Sequence, residues 1–214
     1  TFLEGAPVLE VSSYTGLNME ALKDKIVEMA GSDLTEKKRD IPFRLPVDRV
    51  FSMSGFGTVV TGTLIEGGCR VGDEIQLYPT DTVVKIRGIQ THGEAAQEAM
   101  AGQRTAINLV NVKKEDIERG MVLADQDSMD CSKLLDVKLE LLEESNRVLK
   151  NRSKVHVSIG SAERTAKVVL AGKEELEPGE TGYAQLRFTD EIAVKRGDRF
   201  IIRFFSPVET IGDG

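Results

Sequence analysis

Residues 58–65 read Thr-Val-Val-Thr-Gly-Thr-Leu-Ile and are followed by the glycine-rich turn Glu-Gly-Gly at 66–68. The β-branched residues favour a strand, and the two glycines favour a turn directly after it. Similar short apolar stretches, separated by turns rather than by helices, recur at 74–78, 83–89, 105–112, 135–142, 154–159, 165–170, 181–188 and 199–205. Strands at this spacing predict an all-β fold built from barrels or sandwiches.

The first 31 residues follow a different pattern. Residues 8–11 are mainly apolar and predict a short strand, and residues 12–16 predict a turn. Apolar residues between 17 and 29 then recur at helical spacing. Such a βα unit cannot bury an apolar face by itself, so we expect residues 1–31 to be the C-terminal remnant of an α/β domain.

Polar stretches divide the remaining chain into two parts. Residues 32–41 are charged and predict a linker, and a second polar break occurs near residues 125–132. We therefore predict two consecutive β-barrel domains, at 42–126 and 133–214. The chain starts with Thr1 and stops without a polar tail, which leads us to expect a longer parent protein.

Composition narrows the classes of function. The net charge of -7 argues against a protein that holds nucleic acid by charge alone. Cys69 and Cys131 are far apart in the sequence, which favours a reducing, cytoplasmic location over a disulfide framework. The two cysteines and the two histidines form no ligand cluster, so we expect no metal site. No apolar run reaches membrane-spanning length, so we expect no membrane association.

The sequence offers no complete catalytic site. No phosphate-binding loop of the form GxxxxGK[ST] occurs, and Gly172-Lys173 is followed by Glu174, which lacks the hydroxyl that binds magnesium. His156 alternates with Val155 and Val157, a pattern typical of a partly buried strand histidine. We therefore expect that this chain is not an enzyme by itself and that it carries no cofactor of its own.

Residues 42–63, PFRLPVDRVFSMSGFGTVVTGT, resemble the opening of domain II in EF-Tu-type translational GTPases. Four shorter stretches that also resemble that domain follow in the family's order, at 71–73 (VGD), 88–90 (GIQ), 101–104 (AGQR) and 117–123 (IERGMVL). The resemblance implies a β-barrel that holds the aminoacylated 3′ end of a tRNA. It also implies a parent GTPase that uses GTP and magnesium.

Val11-Ser12-Ser13 resembles the fifth guanine-nucleotide motif of this family, so Ser12 and Ser13 are predicted to be a partial nucleotide site. The phosphate loop and the DxxG and NKxD elements are expected to precede Thr1. We therefore expect this segment alone to hydrolyse no GTP.

The last third of the chain resembles domain III of the SelB-type selenocysteine elongation factors, at 157–163 (VSIGSAE), 176–180 (LEPGE), 184–187 (AQLR) and 195–200 (KRGDRF). This resemblance implies a factor that delivers selenocysteinyl-tRNA to the ribosome at a recoded UGA codon. Its recoding mRNA hairpin is expected to bind through regions outside this chain.

The same resemblance predicts a binding pocket for the amino acid. EF-Tu has an acidic pair where this chain has Asp48-Arg49, and an asparagine where it has Arg104. Two arginines suit an anionic amino acid, and a selenol is more acidic than a cysteine thiol, whose pKa is about 8.5. The residues predicted to lie near the tRNA 3′ end are Phe51, Met53, Gly55, Val59, Gln90 and His92, although Gln90 replaces the glutamate of EF-Tu.

Three alternatives remain open. The chain could belong to another EF-Tu-like translational GTPase that binds a standard aminoacyl-tRNA, or to a non-translational protein that reuses the same barrels. At the level of residues, Arg49 and Arg104 could be surface side chains that pair with Asp48 or with other nearby acidic groups.

Overall fold

The computed structural model describes residues 5–32, 41–53, 55, 57–205 and 209–214. The chain divides into two units, Thr1–Lys37 and Lys38–Gly214. Most of the linker predicted at 32–41 lies outside the described residues.

The described part of the first unit contains one helix, α1 (Met19–Ser32). The helix was predicted, and the carbonyl of Asn18 accepts its first hydrogen bond, from the N–H of Leu22, at 3.0 Å. The strand predicted at residues 8–11 is wrong, because this segment has no regular strand structure. A strand requires a ladder with a neighbouring strand, and the described part of this unit contains none.

The second unit consists of strands. Its first half contains β1 (Arg44–Pro46), β2 (Arg49–Met53), β3 (Gly57–Thr63), β4 (Gly68–Arg70), β5 (Glu74–Tyr78), β6 (Thr82–Thr91), β7 (Glu94–Ala96), β8 (Glu98–Met100), β9 (Arg104–Val110) and β10 (Val122–Ala124). A short 3-10 helix, Lys114–Asp116, precedes β10. The main sheet has the order β1-β10-β5-β6-β9-β3-β2, with β7 paired to β6, and β4 pairs separately with β8. This antiparallel sheet forms a half-barrel.

The second half contains β11 (Asp130–Leu141), β12 (Leu149–Lys150), β13 (Lys154–Ile159), β14 (Ala162–Leu170), β15 (Glu175–Leu176), β16 (Thr181–Val194), β17 (Phe200–Phe204) and β18 (Thr210–Asp213). Six of these strands close into a barrel in the order β11-β16-β14-β13-β17-β18, and β12 pairs with β15. The predicted all-β class with two consecutive barrel-type domains is confirmed.

Each half has its own apolar core, because inward and outward side chains alternate along the strands. In β9, for example, Thr105, Ile107 and Leu109 are buried and the residues between them are more exposed. The half-barrel core is centred on Phe43, Leu45, Val60, Leu77, Ile107 and Leu123. The closed-barrel core is centred on Leu139, Leu141, Val155, Val168, Leu186 and Ile202.

Polar and apolar contacts join the half-barrel to the closed barrel. Arg44 donates two hydrogen bonds to the carboxylate of Asp198, at 2.7 and 2.5 Å, and Lys195 donates one to Glu66 at 2.7 Å. A smaller apolar cluster, with residues from both halves, contains Tyr78, Val122, Ala124, Met129 and Ala193. The two halves therefore share a buried interface.

A glycine allows the two backbones to approach closely at this interface. Gly120 has a φ of +94°, and a Cβ atom placed on it would lie 2.7 Å from the Cα of Ala162. Glycine alone adopts this backbone conformation without strain and brings no side chain to the contact.

Candidate functional site

Strand β3 lies in the middle of the predicted site, between β2 on one side and β9 on the other. Its side chains alternate between two faces of the sheet. Val60 belongs to the half-barrel core, so Val59 and Thr61 point to the opposite, outer face. The candidate site is built on this outer face and at the adjoining ends of the strands.

The first row of residues across the outer face contains Arg49, Thr61, Ala106 and Gln90. They are successive Cα partners on β2, β3, β9 and β6. Arg49 and Gln90, the two outer members, are both exposed. The row, which we call the arginine row, therefore brings two of the predicted site residues onto one surface.

The second row contains Phe51, Val59, Asn108 and Gly88, which are Cα partners on the same four strands. Phe51 is 36% exposed and Val59 is 7% exposed. This row, which we call the phenylalanine row, lies two residues away from the arginine row on each of the four strands. The pairing of β6 with β9 becomes irregular beyond this row, between Ile86 and Gly88. Together the rows place two apolar side chains, those of Phe51 and Val59, among polar ones.

Asp48 and Arg104 form an ion pair at the end of these strands. The Arg104 guanidinium donates a hydrogen bond to Asp48 Oδ2 at 2.8 Å. Asp48 is fixed by its own backbone N–H, which donates to the carbonyl of Thr61 at 2.8 Å. The side chains are 57% exposed for Arg104 and 32% exposed for Asp48, so both can be reached from solvent.

The charges around Asp48 are predominantly positive. The hydrogen bond from Arg104 holds the pKa of Asp48 below its usual value, partial burial opposes this effect, and the charges of Arg104, Arg119 and Arg49 lower the pKa further. At neutral pH one carboxylate therefore stands among three guanidinium groups. The surplus of positive charge could attract a small anion.

Arg119 was not predicted as a site residue. Its Nε donates to the carbonyl of Ser161 in the closed barrel at 3.2 Å. The neighbouring Gly120 N–H donates to the carbonyl of Val47 at 3.0 Å, which places this segment beside Asp48. In the sequence, Arg119 is marked only by its position in the stretch 117–123, which resembles domain II. Spacing along the sequence does not show which strand edge Arg119 contacts in the folded protein.

The remaining residues predicted near the tRNA 3′ end occupy turns or strand ends. Met53 ends β2 opposite Gly57, and Gly55, in the turn between β2 and β3, has a φ of +79°. His92 has a φ of +55° and directly follows Thr91, the Cα partner of Thr105. His92 therefore lies at the same end of the sheet as Arg104.

Ser12 and Ser13, the predicted partial nucleotide site, belong to the first unit. The Ser12 hydroxyl accepts a hydrogen bond from the N–H of Thr15 at 3.2 Å, and its carbonyl accepts one from Gly16 at 2.9 Å. Ser12 therefore stabilises the turn that precedes α1.

The described residues include no group of three or more His, Cys, Asp or Glu side chains arranged to hold a metal ion. Cys69 and Cys131 are free thiols, and burial raises the pKa of Cys69 to about 12 and that of Cys131 to about 11. No helix in the described ranges has the length and apolar content needed to cross a membrane. His156 is partly buried in β13, as predicted, and stacks on Phe205 with 4.7 Å between ring centroids.

Two family profiles match the chain. The family described as "Elongation factor Tu domain 2" matches residues 57–124. The family described as "Selenocysteine-specific elongation factor, beta-barrel domain" matches residues 135–214. The matches fall on the half-barrel and on the closed barrel, respectively.

Curated relatives with similar sequences are selenocysteine-specific elongation factors. The protein from Desulfomicrobium baculatum is 45% identical over 214 residues, which are 100% of this chain and 34% of the relative. The protein from Methanocaldococcus jannaschii is 29% identical over 217 residues, covering 94% of this chain and 45% of the relative. The chain thus spans between about a third and a half of the length of these relatives.

Solved structures with similar folds carry the same description. The apo form of translation elongation factor SelB from Methanococcus maripaludis superposes with a TM-score of 0.81 at 27% identity, covering 96% of this chain and 49% of that structure. A bacterial selenocysteine-specific elongation factor, EF-Sec, superposes with a TM-score of 0.81 at 28% identity, covering 99% of this chain and 34% of that structure.

Proposed function

Because this chain is a homologue of the selenocysteine-specific elongation factors through both of its β-domains, we propose that it binds the aminoacylated 3′ end of selenocysteinyl-tRNA. As part of a GTP-dependent translation factor, it would help to deliver that tRNA to the ribosome at a recoded UGA codon. The recoding mRNA hairpin would bind outside the chain.

The observation that carries this proposal is the solvent-exposed ion pair of Arg104 with Asp48, 2.8 Å long, beside the exposed Arg49. Arg104, Arg119 and Arg49 all act on that single carboxylate. A selenol is more acidic than a thiol, so it is largely ionised at neutral pH, whereas the side chain of a seryl ester has no charge. A guanidinium forms strong charge-assisted hydrogen bonds with an anion. The cluster therefore favours selenocysteine over its uncharged analogue.

Each residue of the cluster has a distinct role in this proposal. Arg104 contacts the selenolate, and Asp48 is a positioning residue that orients the Arg104 guanidinium through the 2.8 Å hydrogen bond. Arg49, exposed at the edge of the outer face, adds a second cation. The phenylalanine row provides an apolar platform on which a base can stack.

The residues of this chain offer no complete site for GTP and magnesium. The sequence contains no GxxxxGK[ST] loop, and Ser12 and Ser13 correspond to only one of the family's guanine-nucleotide motifs. The nucleotide would therefore bind to other parts of the factor. We expect calorimetry on the 214-residue chain to detect no tight binding of GTP.

The test compares two aminoacyl-tRNAs on the intact, GTP-bound protein that carries this chain. Replacing Arg104→Ala should weaken the binding of selenocysteinyl-tRNA about tenfold or more, because a charge-assisted contact to the anion is lost. The binding of seryl-tRNA should change little. The preference of the wild type for selenocysteine should decrease as pH falls and the selenol gains a proton, since arginine stays charged.

Arg70→Ala is the matched control, because Arg70 also forms an exposed ion pair, with Glu98 at 3.2 Å, in the half-barrel. It should leave both affinities unchanged. Equal losses for the two tRNAs in Arg104→Ala would make Arg104 a general RNA contact and would favour a factor for standard aminoacyl-tRNAs. Failure of the wild type to bind either tRNA would favour a non-translational protein.

A further inference from the structure

The turn between β13 and β14 of the closed barrel packs beside the half-barrel. It consists of Gly160 and Ser161, and we call it the barrel turn. A Cβ atom placed on Gly160 would be in van der Waals contact with Pro46, 3.7 Å from its Cβ and Cγ atoms. Pro46 is the last residue of β1. The barrel turn therefore lies against the half-barrel only two residues before Asp48.

The barrel turn also contacts the segment of the half-barrel that carries Arg119. Arg119 Nε donates a hydrogen bond to the carbonyl of Ser161 at 3.2 Å. The next residue, Gly120, comes so close to the closed barrel that a Cβ atom placed on it would lie 2.7 Å from the Cα atom of Ala162. Both the side chain of Arg119 and the backbone that follows it are therefore held by the closed barrel.

This segment is in turn bound to the strand end that carries Asp48. The Gly120 N–H donates to the carbonyl of Val47 at 3.0 Å, and the Val47 N–H donates to the carbonyl of Met121 at 2.8 Å. Because Asp48 directly follows Val47, these two hydrogen bonds bring the backbone of Arg119 close to Asp48. The contact with the closed barrel thus influences where one positive charge of the cluster lies.

The other two cations of the cluster are held within the half-barrel. Arg49 and Arg104 lie on β2 and β9, which are fixed by the main sheet. Arg119 lies outside the strands, between the 3-10 helix and β10. The hydrogen bond from Arg104 lowers the pKa of Asp48 most, and the charges of all three arginines lower it further. Of these three arginines, Arg119 is therefore the one whose place depends on the contact between the two halves.

We propose that the barrel turn is a positioning element of the selenocysteine site, an inference that rests on the proposed function. It holds Arg119 where the positive charge acts on Asp48 and on the bound selenolate, so the preference for an anionic amino acid depends on the closed barrel. Arg119 need not touch the amino acid, because a unit charge several ångströms away still attracts an anion. Ala162, which packs against this segment, determines specificity although it carries no charge.

Replacing Ala162→Val tests the proposal without changing a charged residue. The larger side chain pushes Gly120 away from the closed barrel and shifts Arg119. In the intact, GTP-bound protein, the preference for selenocysteinyl-tRNA over seryl-tRNA should fall about two- to fivefold, as expected for one exposed charge–charge interaction. The matched control is Ala171→Val, the same change at an exposed position just beyond the other end of β14. It should leave the preference unchanged.

A second variant, Arg119→Gln, shows whether Ala162 acts through Arg119. It should lower the preference by a similar factor, whereas a general contact of Arg119 with RNA would weaken both tRNAs equally. Arg119 is exposed, so this variant should fold even if Ala162→Val does not. In the double variant, Ala162→Val should cause no further loss, because the charge that it displaces is already absent. The pKa of Asp48, followed by NMR, should rise in both single variants.

The outcomes separate this inference from the proposed function. An unchanged preference in Arg119→Gln, or in folded Ala162→Val, would overturn the inference and leave the proposed function intact. Additive losses in the double variant would also overturn it, because Ala162 would then act by another route. A wild-type protein with equal affinity for the two tRNAs would overturn the proposed function itself.

Discussion

Arg44 in the half-barrel binds Asp198 in the closed barrel through two hydrogen bonds, of 2.7 and 2.5 Å, across 154 residues of sequence. Arg44 is only 4% exposed, so this is a largely buried ion pair with the bidentate geometry that arginine and carboxylate favour. Glu66 lies 3.8 Å from Arg44 and also binds Lys195. These four charged groups fix the half-barrel and the closed barrel in one relative position.

We expect Arg44→Ala to lower the free energy of unfolding by about 3–5 kcal/mol, because it leaves the partly buried Asp198 without its main partner. Denaturant titration of the 214-residue chain would measure the loss. Arg70→Ala, which removes an exposed arginine, should change it by less than about 1 kcal/mol. A similar small change in Arg44→Ala would show that the buried pair contributes little.

The same pair makes stability depend on pH. Burial alone would raise the pKa of Asp198, but hydrogen bonds from Arg44 and from the Lys195 N–H, with the charges of both side chains, hold it below its usual value. A carboxyl group with a lowered pKa in the folded state stabilises the protein above its unfolded pKa of about 3.9, and this contribution is lost as pH falls. The difference in melting temperature between wild type and Asp198→Asn should therefore shrink on acidification.

Gly120→Ala should destabilise the interface through two separate effects. The φ of +94° strains any residue with a Cβ atom, and the new Cβ would lie 2.7 Å from the Cα of Ala162. Gly72→Ala is the matched control, since Gly72 has a φ of +99° with no atom within 4 Å of its ideal Cβ position. Strain alone costs about 1–2 kcal/mol. Gly120→Ala should lose more than this in thermal unfolding, and equal losses would mean that Ala162 can move aside.

The titration of Asp48 tests how the charge cluster is arranged. In an NMR titration of the side-chain carboxyl group, Arg104→Ala should raise the pKa of Asp48 most, because its hydrogen bond is the largest cause of the lowered value. Arg119→Ala should raise the same pKa by a smaller amount, and Arg70→Ala should have no effect. An unchanged titration in Arg119→Ala would remove Arg119 from the cluster.

Much of the fold could be predicted from local pattern. The boundaries of β5 (Glu74–Tyr78) and β13 (Lys154–Ile159) match their predictions, because both stretches are rich in apolar or β-branched residues. The long extensions of β11 and β16 could not be predicted. Their residues near Asp130 and Asp190 are polar, and the ladder between the two strands forms only in the folded barrel.

The site could be predicted only in part. The resemblance to known factors pointed to Asp48 and Arg104. These two side chains can pair only because β3 lies between β2 and β9 and so brings the start of β2 close to the start of β9. Arg119 was missed because it reaches the site through contacts between the two halves.

The close approach of Gly120 to Ala162 also limits how these domains can be recombined. A half-barrel with any larger residue at position 120 fits the closed barrel only if the start of β14 at Ala162 has moved to make room. Chimeras that join the two halves from different relatives should therefore assemble correctly only when the half-barrel carries glycine at position 120 or the closed barrel leaves room there. The contact between Gly120 and Ala162 thus couples the sequence of the half-barrel to that of the closed barrel.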